Sequence, residues 1–232
     1  MGTKTAAKIE IGIEAGAKRT LACALDWPGW CRGGRDEASA LDALAGYIPR
    51  YAAVVRGSGM RFPASATRGS LSVAERTEGN ATTDYGAPDG VFSWDERKLD
   101  ARTFARFVAF MDATWSAFDD AVEAARGIEL RKGPRGGGRD LDAIVDHVVQ
   151  AEAGYGRRLA ARVSLDGDDP WAARHGERAQ IREALTPAAI KAMPETGPRG
   201  GKIWTPRRFV RRAAWHVLDH AWEIEDRATA SP

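Results

Sequence analysis

Three histidines have the residue type and the spacing of a metal-binding site. His216 and His220 lie four residues apart in the segment 204–226, and residues four apart share one face of a helix, with Cβ atoms about 6 Å apart. His147 lies in a separate amphipathic segment, 141–155. Imidazoles are common ligands of divalent ions, and a set of three leaves coordination positions open, which is typical of catalytic rather than structural sites.

Both segments that carry these histidines have the periodicity of amphipathic helices. Thr205 suits the N-cap of the last helix, and Pro206 suits its first position. Apolar residues recur at helical spacing on the histidine faces: Phe209, Ala213, Val217 and Ile224 in the last segment, and Ile144, Val148, Ala151 and Tyr155 around His147. Burying three unpaired imidazoles costs on the order of several kcal/mol, so we expect them to be hydrogen-bonded or bound to a metal.

The ligand set favours zinc, with nickel and iron as alternatives. Such an ion lowers the pKa of a bound water or thiol, so that the anion forms near neutral pH. His175 is predicted to be exposed and outside the site. Asp146, Asp219 and Glu223 turn away from the inner faces and are interpreted as solvated charges, the alternative being that they orient the ligating imidazoles.

From about Asp100 onward, the chain resembles the DinB/YfiT-like family of metalloenzymes. Six residues at characteristic spacings carry the resemblance: His147, Gly154, Tyr155, Trp215, His216 and His220. It implies a four-helix bundle with one divalent metal, and some members of that family transfer low-molecular-weight thiols. The resemblance therefore predicts a thiol-dependent S-transferase or a hydrolase with a small-molecule substrate, and a thiol cofactor such as mycothiol.

A glycine-rich loop, 133–139, precedes the helix of His147. One interpretation is a flexible hinge and helix cap. The other is an anion site, because Arg135, Arg139 and free backbone N–H groups meet at a helix start. Tyr155 shares the inner face with His147 and is a further candidate for contacting the substrate.

Residues 1–99 are predicted to form a separate α/β unit with a long loop, and residues 100–232 the bundle. Segment 7–14 alternates apolar and polar residues, which predicts a half-buried strand. Segment 19–26 is predicted to be its antiparallel partner, and a short third strand is predicted near Trp30. A helix is expected from Asp36 to about Tyr51. The predicted class is α+β, a small antiparallel sheet plus helix followed by four helices, near 100–127, 139–164, 172–192 and 205–228.

Residues 7–56 resemble the HicB-like antitoxin fold. The resemblance rests on Asp26, on Pro28 and Gly29, on Gly34, and on Glu37 and Ala38. No ribbon-helix-helix or helix-turn-helix pattern follows, so DNA binding is not implied. Segment 68–77 is predicted to add a strand to the sheet, and the turn-rich segment 78–90 is predicted to be loop.

Composition restricts the classes of partner. The formal net charge of +2 over 232 residues gives no basic field for nucleic acid. The apolar runs are too short to span a membrane. The two cysteines, Cys23 and Cys31, do not make a disulfide framework, which predicts reduced thiols and a cytoplasmic location.

The alternative function is a non-catalytic binding protein whose three histidines form a structural cluster. Trp215, Leu218 and Trp222 lie on a face of the last helix away from the histidines. They predict a contact surface, covered either by the N-terminal part of the chain or by a second subunit in a homodimer.

Overall fold

The structure is a computed structural model that describes residues 8–56, 58–132, 137–161, 163–191, 193–197 and 201–228. Contacts among these residues divide the chain into two units. The first unit contains the chain up to Lys98 together with Val210–Trp215, and the second contains Leu99–Phe209 and the residues from His216 onward. The last helix of the chain therefore supplies residues to both units.

The first unit is built on a four-stranded sheet. Its regular elements are β1 (Ile9–Ala15), β2 (Thr20–Ala24), β3 (Cys31–Gly34), α1 (Glu37–Gly46), α2 (Ile48–Arg56), β4 (Leu71–Glu78) and α3 (Ala81–Tyr85). The strand order is β3-β2-β1-β4; β2 is antiparallel to β1 and β3, and β4 is parallel to β1. The mixed α and β class is confirmed, but the fully antiparallel sheet is wrong, because α1 and α2 form a crossover that permits parallel pairing.

Aromatic residues hold the two helices against the start of β3. The ring of Trp30 stacks on Tyr51, with centroids 5.4 Å apart. Trp30 Nε1 donates to the carbonyl of Leu44 at 3.0 Å, and the hydroxyl of Tyr51 donates to the carbonyl of Pro28 at 2.8 Å. Each buried polar group thus has a partner, as burial requires. The single helix expected here is divided into α1 and α2 at Tyr47.

The segment between α2 and residue 99 contains more structure than the predicted long loop. The expected strand is present as β4, and the segment predicted to be loop contains α3. Asn80 caps α3 by accepting from the backbone N–H of Thr82 at 2.7 Å. Glu14 of β1 is fully buried and accepts from the hydroxyl of Thr83 and from the backbone N–H of Asp89. These polar contacts hold the segment on the sheet.

Cys23 and Cys31 face each other across β2 and β3 and are joined as a disulfide. The predicted pair of reduced thiols is therefore wrong for this structure, because the antiparallel register places both side chains on one face of the sheet. Trp215 packs against this pair and against Leu21. The predicted contact surface on the last helix is thus buried within the chain.

The second unit is helical. Its elements are α4 (Ala101–Ala125), α5 (Leu141–Arg158), α6 (Pro170–Ala184), α7 (Pro187–Lys191) and α8 (Pro206–Ala228). The helix expected over 172–192 is divided into α6 and α7 at Thr186, because Pro187 disfavours helical backbone before it and lacks an N–H. The described residues after 100 form no strand, apart from one isolated bridge between Thr196 and Lys202. None of the described helices has both the length and the apolar character that a bilayer crossing requires.

Arg211 of α8 belongs to the first unit and lies in its interior. Its Nη2 and Nε bind the two carboxylate oxygens of Asp95 at 2.6 and 3.1 Å, and Nη2 also donates to the carbonyl of Gly90 at 2.8 Å. Both side chains of the ion pair are almost completely buried. A buried charge needs such a partner, so this contact fixes the segment that contains Asp95.

Candidate metal centre

Helix α8 presents His216 and His220 on its apolar face. Phe209, Val217 and Ile224 on the same face have no solvent exposure. The side chain of His216 is buried, and that of His220 is 12% exposed. The predicted inner face of this helix is confirmed.

Helix α5 presents His147. The carboxylate of Asp140 caps the helix by accepting from the backbone N–H of Ala143 at 2.8 Å. Ile144 and Val148, on either side of His147, are fully buried, and His147 itself is half-buried. The helix therefore places one imidazole at the edge of the interior of the second unit.

The three imidazoles converge. Their ring centroids are 5.0 Å apart for His147 and His216, 5.0 Å for His147 and His220, and 4.7 Å for His216 and His220. One nitrogen from each ring can be chosen so that all lie within 4.8 Å of one another. This is the one group of three or more metal-ligating side chains found among the described residues.

The separation of two of these nitrogens matches tetrahedral ligation. The Nε2 atoms of His147 and His216 lie 3.2 Å apart. Two imidazole nitrogens at about 2.05 Å from a tetrahedral zinc ion are separated by about 3.3 Å. The site therefore needs little rearrangement to bind an ion of this size through these two rings.

The carboxylate of Glu223 contacts the Nδ1 atom of His220, the third histidine. His220 Nδ1 and Glu223 Oε2 lie 2.8 Å apart, and Glu223 Oε1 accepts from Arg227 Nη1 at 2.6 Å. A carboxylate on Nδ1 selects the tautomer whose Nε2 is free to bind a metal. The interpretation of Glu223 as a solvated charge is therefore wrong, because one helical turn brings its carboxylate to the ring. Asp146, by contrast, accepts from Gln150 on its own helix.

The electrostatic environment favours the neutral form of His147. Burial lowers the pKa of His147, and the nearby charge of Arg139 acts in the same direction. The hydrogen bond from His220 lowers the pKa of Glu223, and Arg227 acts in the same direction. A neutral imidazole is the form that binds a metal, so the arrangement prepares His147 for ligation.

Tyr155 also reaches the histidines. Its ring packs edge-on against His216, with centroids 5.6 Å apart, and stacks on Trp204 at 5.8 Å. Tyr155 therefore lies beside the histidines, and its contact with a substrate stays a prediction. His175 is exposed on α6 and takes no part in the cluster.

A cleft of about 530 Å3 lies at the N-terminal end of α5, and Arg139 lines it together with Lys132 and Arg227. Arg135, the other arginine predicted to bind an anion, lies outside the described residues. The cap formed by Asp140 already uses one of the backbone N–H groups at this helix start. Glu129, Asp140 and Asp142 also line the cleft, so an anion there would meet carboxylates as well as the side chains of Arg139 and Lys132.

Two buried carboxyl groups in the second unit were not identified from the sequence. Burial raises the pKa of Glu152 to about 7 and the pKa of Glu177 to about 9. Each has a basic neighbour in Arg178, whose charge opposes the increase. One signal was available, because Glu152 follows Val148 and Val149 by four and three residues and so shares their buried face.

No protein-family model, curated protein or solved structure matches this chain. The DinB-like and HicB-like resemblances therefore stay predictions, and the geometry of the three histidines is what points to a function.

Proposed function

We propose that His147, His216 and His220 together bind one divalent metal ion and that this centre is catalytic. The observation that carries the proposal is the 3.2 Å separation of the Nε2 atoms of His147 and His216, with His220 completing the group. Three neutral histidines leave the charge of the ion uncompensated, which favours an anionic ligand in the remaining position.

The proposed reaction class is nucleophilic transfer or hydrolysis. A divalent ion in this site would lower the pKa of a water or thiol that occupies the open position. The resemblance to DinB-like enzymes favours an S-transferase that uses a low-molecular-weight thiol such as mycothiol, acting on a small molecule. Zinc suits the ligand set best, and nickel or iron would also suit it.

Tyr155 and Arg139 have separate roles in the proposal. Tyr155 packs against His216 and would contact the substrate close to the reacting atoms. Arg139 lines the cleft at the start of α5 and would contact a negatively charged group farther from the centre. Neither residue is proposed as a metal ligand.

Metal analysis tests the proposal. Protein purified without chelators, or stripped and reloaded with zinc, nickel or iron, should contain about one ion per chain. His147→Ala, His216→Ala and His220→Ala should each lose most of this metal, and His175→Ala, the exposed control, should keep it. Stoichiometric metal in the three variants, or no uptake by the wild type, would contradict the proposal.

The activity is tested separately. The metal-loaded wild type should form an adduct between mycothiol and a small alkylating electrophile, or should hydrolyse an ester, faster than the stripped protein does. His216→Ala should behave like the stripped protein in either assay.

A binding protein with a structural histidine cluster is the second candidate. The observation that favours it is the same 3.2 Å separation, which also fits a direct N–H···N hydrogen bond between His147 and His216. Under this reading, stripping the metal leaves the thermal unfolding temperature unchanged. Under the metal reading, loading raises that temperature, because an ion that binds only the folded state stabilises it.

A further inference from the structure

A second set of contacts on α8 connects the proposed metal centre to the loops around it. Glu223 lies one turn after His220 and contacts its Nδ1 at 2.8 Å. Arg227 lies one turn farther on and donates to the other carboxylate oxygen of Glu223 at 2.6 Å. Histidine, glutamate and arginine thus form one row along the helix.

Arg227 is itself held by backbone on two sides. Its Nε donates to the carbonyl of Arg131 at 2.8 Å, and its Nη2 donates to the carbonyl of Arg139 at 2.6 Å. The backbone N–H of Arg131 donates in return to the carbonyl of Arg227 at 3.0 Å. A side chain on Gly138 would place its Cβ 2.9 Å from Arg227 Nη2. The guanidinium therefore has one orientation, which long exposed arginines usually lack.

We propose that Glu223 and Arg227 are positioning residues of the metal centre: Glu223 holds the ring of His220 with its Nε2 toward the metal, and Arg227 acts through Glu223 by fixing that carboxylate. The inference rests on the proposed function, since it assigns a role relative to a bound metal. Neither residue touches the ion.

The chemistry of imidazole explains why the contact matters. A ring that donates its Nδ1–H to a carboxylate keeps its Nε2 lone pair available and becomes a stronger ligand. The carboxylate must stay in the plane of the ring for this, and Glu223 is one-third exposed, so water would otherwise compete for it. Arg227 is 15% exposed and is held by the backbone carbonyls of Arg131 and Arg139. Its hydrogen bond to Glu223 therefore keeps that carboxylate in place.

The ion pair between Glu123 and Arg126 provides a matched control. It also joins a glutamate and an arginine, at 2.8 Å, and its side chains are about half exposed. It lies at the C-terminal end of α4, where Arg126 is the capping residue, and its contacts involve neither Glu223 nor Arg227. Removing it should test the effect of losing a surface ion pair without changing the metal centre.

The proposal is tested by measuring the zinc dissociation constant of each variant in competition with a chelator. Glu223→Ala should weaken zinc binding by about ten- to a hundredfold. Glu223→Gln should weaken it less, because the amide oxygen can still accept from His220 Nδ1–H. Arg227→Ala should weaken it by nearer about tenfold, and Glu123→Ala should not change it. The unfolding temperature of each metal-free variant verifies that it is folded.

The double variant Glu223→Ala/Arg227→Ala tests the route of the effect. If Arg227 acts through Glu223, the double variant binds zinc as tightly as Glu223→Ala alone, because the second change has nothing left to remove. If the two losses multiply, Arg227 acts independently and its assigned role is wrong. Cobalt-substituted protein provides a second readout: its visible absorption should shift in Glu223→Ala and should not shift in Glu123→Ala.

Failure of this inference differs from failure of the proposed function. A wild type that binds none of zinc, nickel, iron and cobalt overturns both. A wild type that binds zinc, together with a folded Glu223→Ala variant of unchanged zinc affinity, overturns the positioning roles alone and leaves the three-histidine centre in place.

Discussion

The indole Nε1–H of Trp115 donates a hydrogen bond to Oε1 of Glu152, and the two atoms lie 2.5 Å apart. The contact joins α4 to α5 in the interior of the second unit, where Glu152 has no solvent exposure. A neutral donor offsets only part of the cost of burying a carboxylate. Burial therefore raises the pKa of Glu152 to about 7, so that the carboxyl is partly protonated at neutral pH.

The burial of Glu152 predicts a pH-dependent stability. The folded-state pKa of Glu152 lies above its ordinary value of 4.5, so the protonated carboxyl stabilises the folded protein. This contribution to the free energy of unfolding is complete below about pH 4.5 and is lost as the pH rises through about 7. Glu152→Gln cannot lose a proton, so its free energy of unfolding should rise relative to that of the wild type by up to about 3 kcal/mol between pH 5 and 8. Urea unfolding at a series of pH values measures the difference. Glu183→Gln, an exposed change on α6, should show no such trend.

Metal binding should depend on pH in the opposite direction. Zinc requires unprotonated imidazoles, so its affinity should fall as the pH is lowered below the ordinary range for histidine. Burial lowers the pKa of His147, so this ring should resist protonation longer than a free imidazole does. Zinc titrations between pH 5 and 8 measure the dependence. A flat profile over that range would argue against histidine ligation.

Gly138 should tolerate no side chain. Its φ of 127° is one that L residues rarely adopt, and an added Cβ would lie 2.9 Å from Arg227 Nη2. Gly138→Ala should therefore cost about 1–3 kcal/mol of unfolding free energy, measured in urea. The matched control is Gly137→Ala, where an added Cβ meets nothing within 4 Å. Equal losses of unfolding free energy in the two variants would show that position 138 is no more restricted than position 137.

The ion pair between Arg211 and Asp95 should matter more to stability than a surface pair. Asp95→Ala leaves the buried guanidinium without its carboxylate, which should cost about 3–5 kcal/mol. Glu37→Ala removes the exposed partner of Arg76 and should cost no more than about 1 kcal/mol. Chemical unfolding of both variants measures the contrast. Similar losses of unfolding free energy in the two variants would mean that the buried pair contributes no more to stability than the exposed one.

The sequence was most informative where helical periodicity determined the structure. His216 and His220 share a face because they are four residues apart, and the apolar residues around them indicated that this face is buried. His147 could be added for the same reason. That the three rings converge depends on how α5 packs against α8, which periodicity alone does not determine.

The features missed from the sequence depend on strand pairing or on rotamers. The parallel position of β4 depends on its pairing with β1, which is distant in sequence. Cys23 and Cys31 are only eight residues apart, and they face each other because of the register that the intervening turn sets between β2 and β3. Glu223 was interpreted as surface charge because its Cβ lies off the inner face, yet its flexible side chain turns back to His220. The sequence does not indicate that Glu177 is buried, because a glutamate in a helix usually faces solvent.

The division of α8 between the two units has a consequence for protein synthesis. Asp95 leaves the ribosome before Arg211, which follows 116 residues later. At about 5–20 residues per second, that interval is on the order of ten seconds. During that time, the nascent first unit contains a carboxylate without its guanidinium, and its core lacks Trp215. The first unit therefore cannot finish folding until α8 has been synthesised. A ribosome-bound chain stalled before residue 210 should be more sensitive to protease than the released protein.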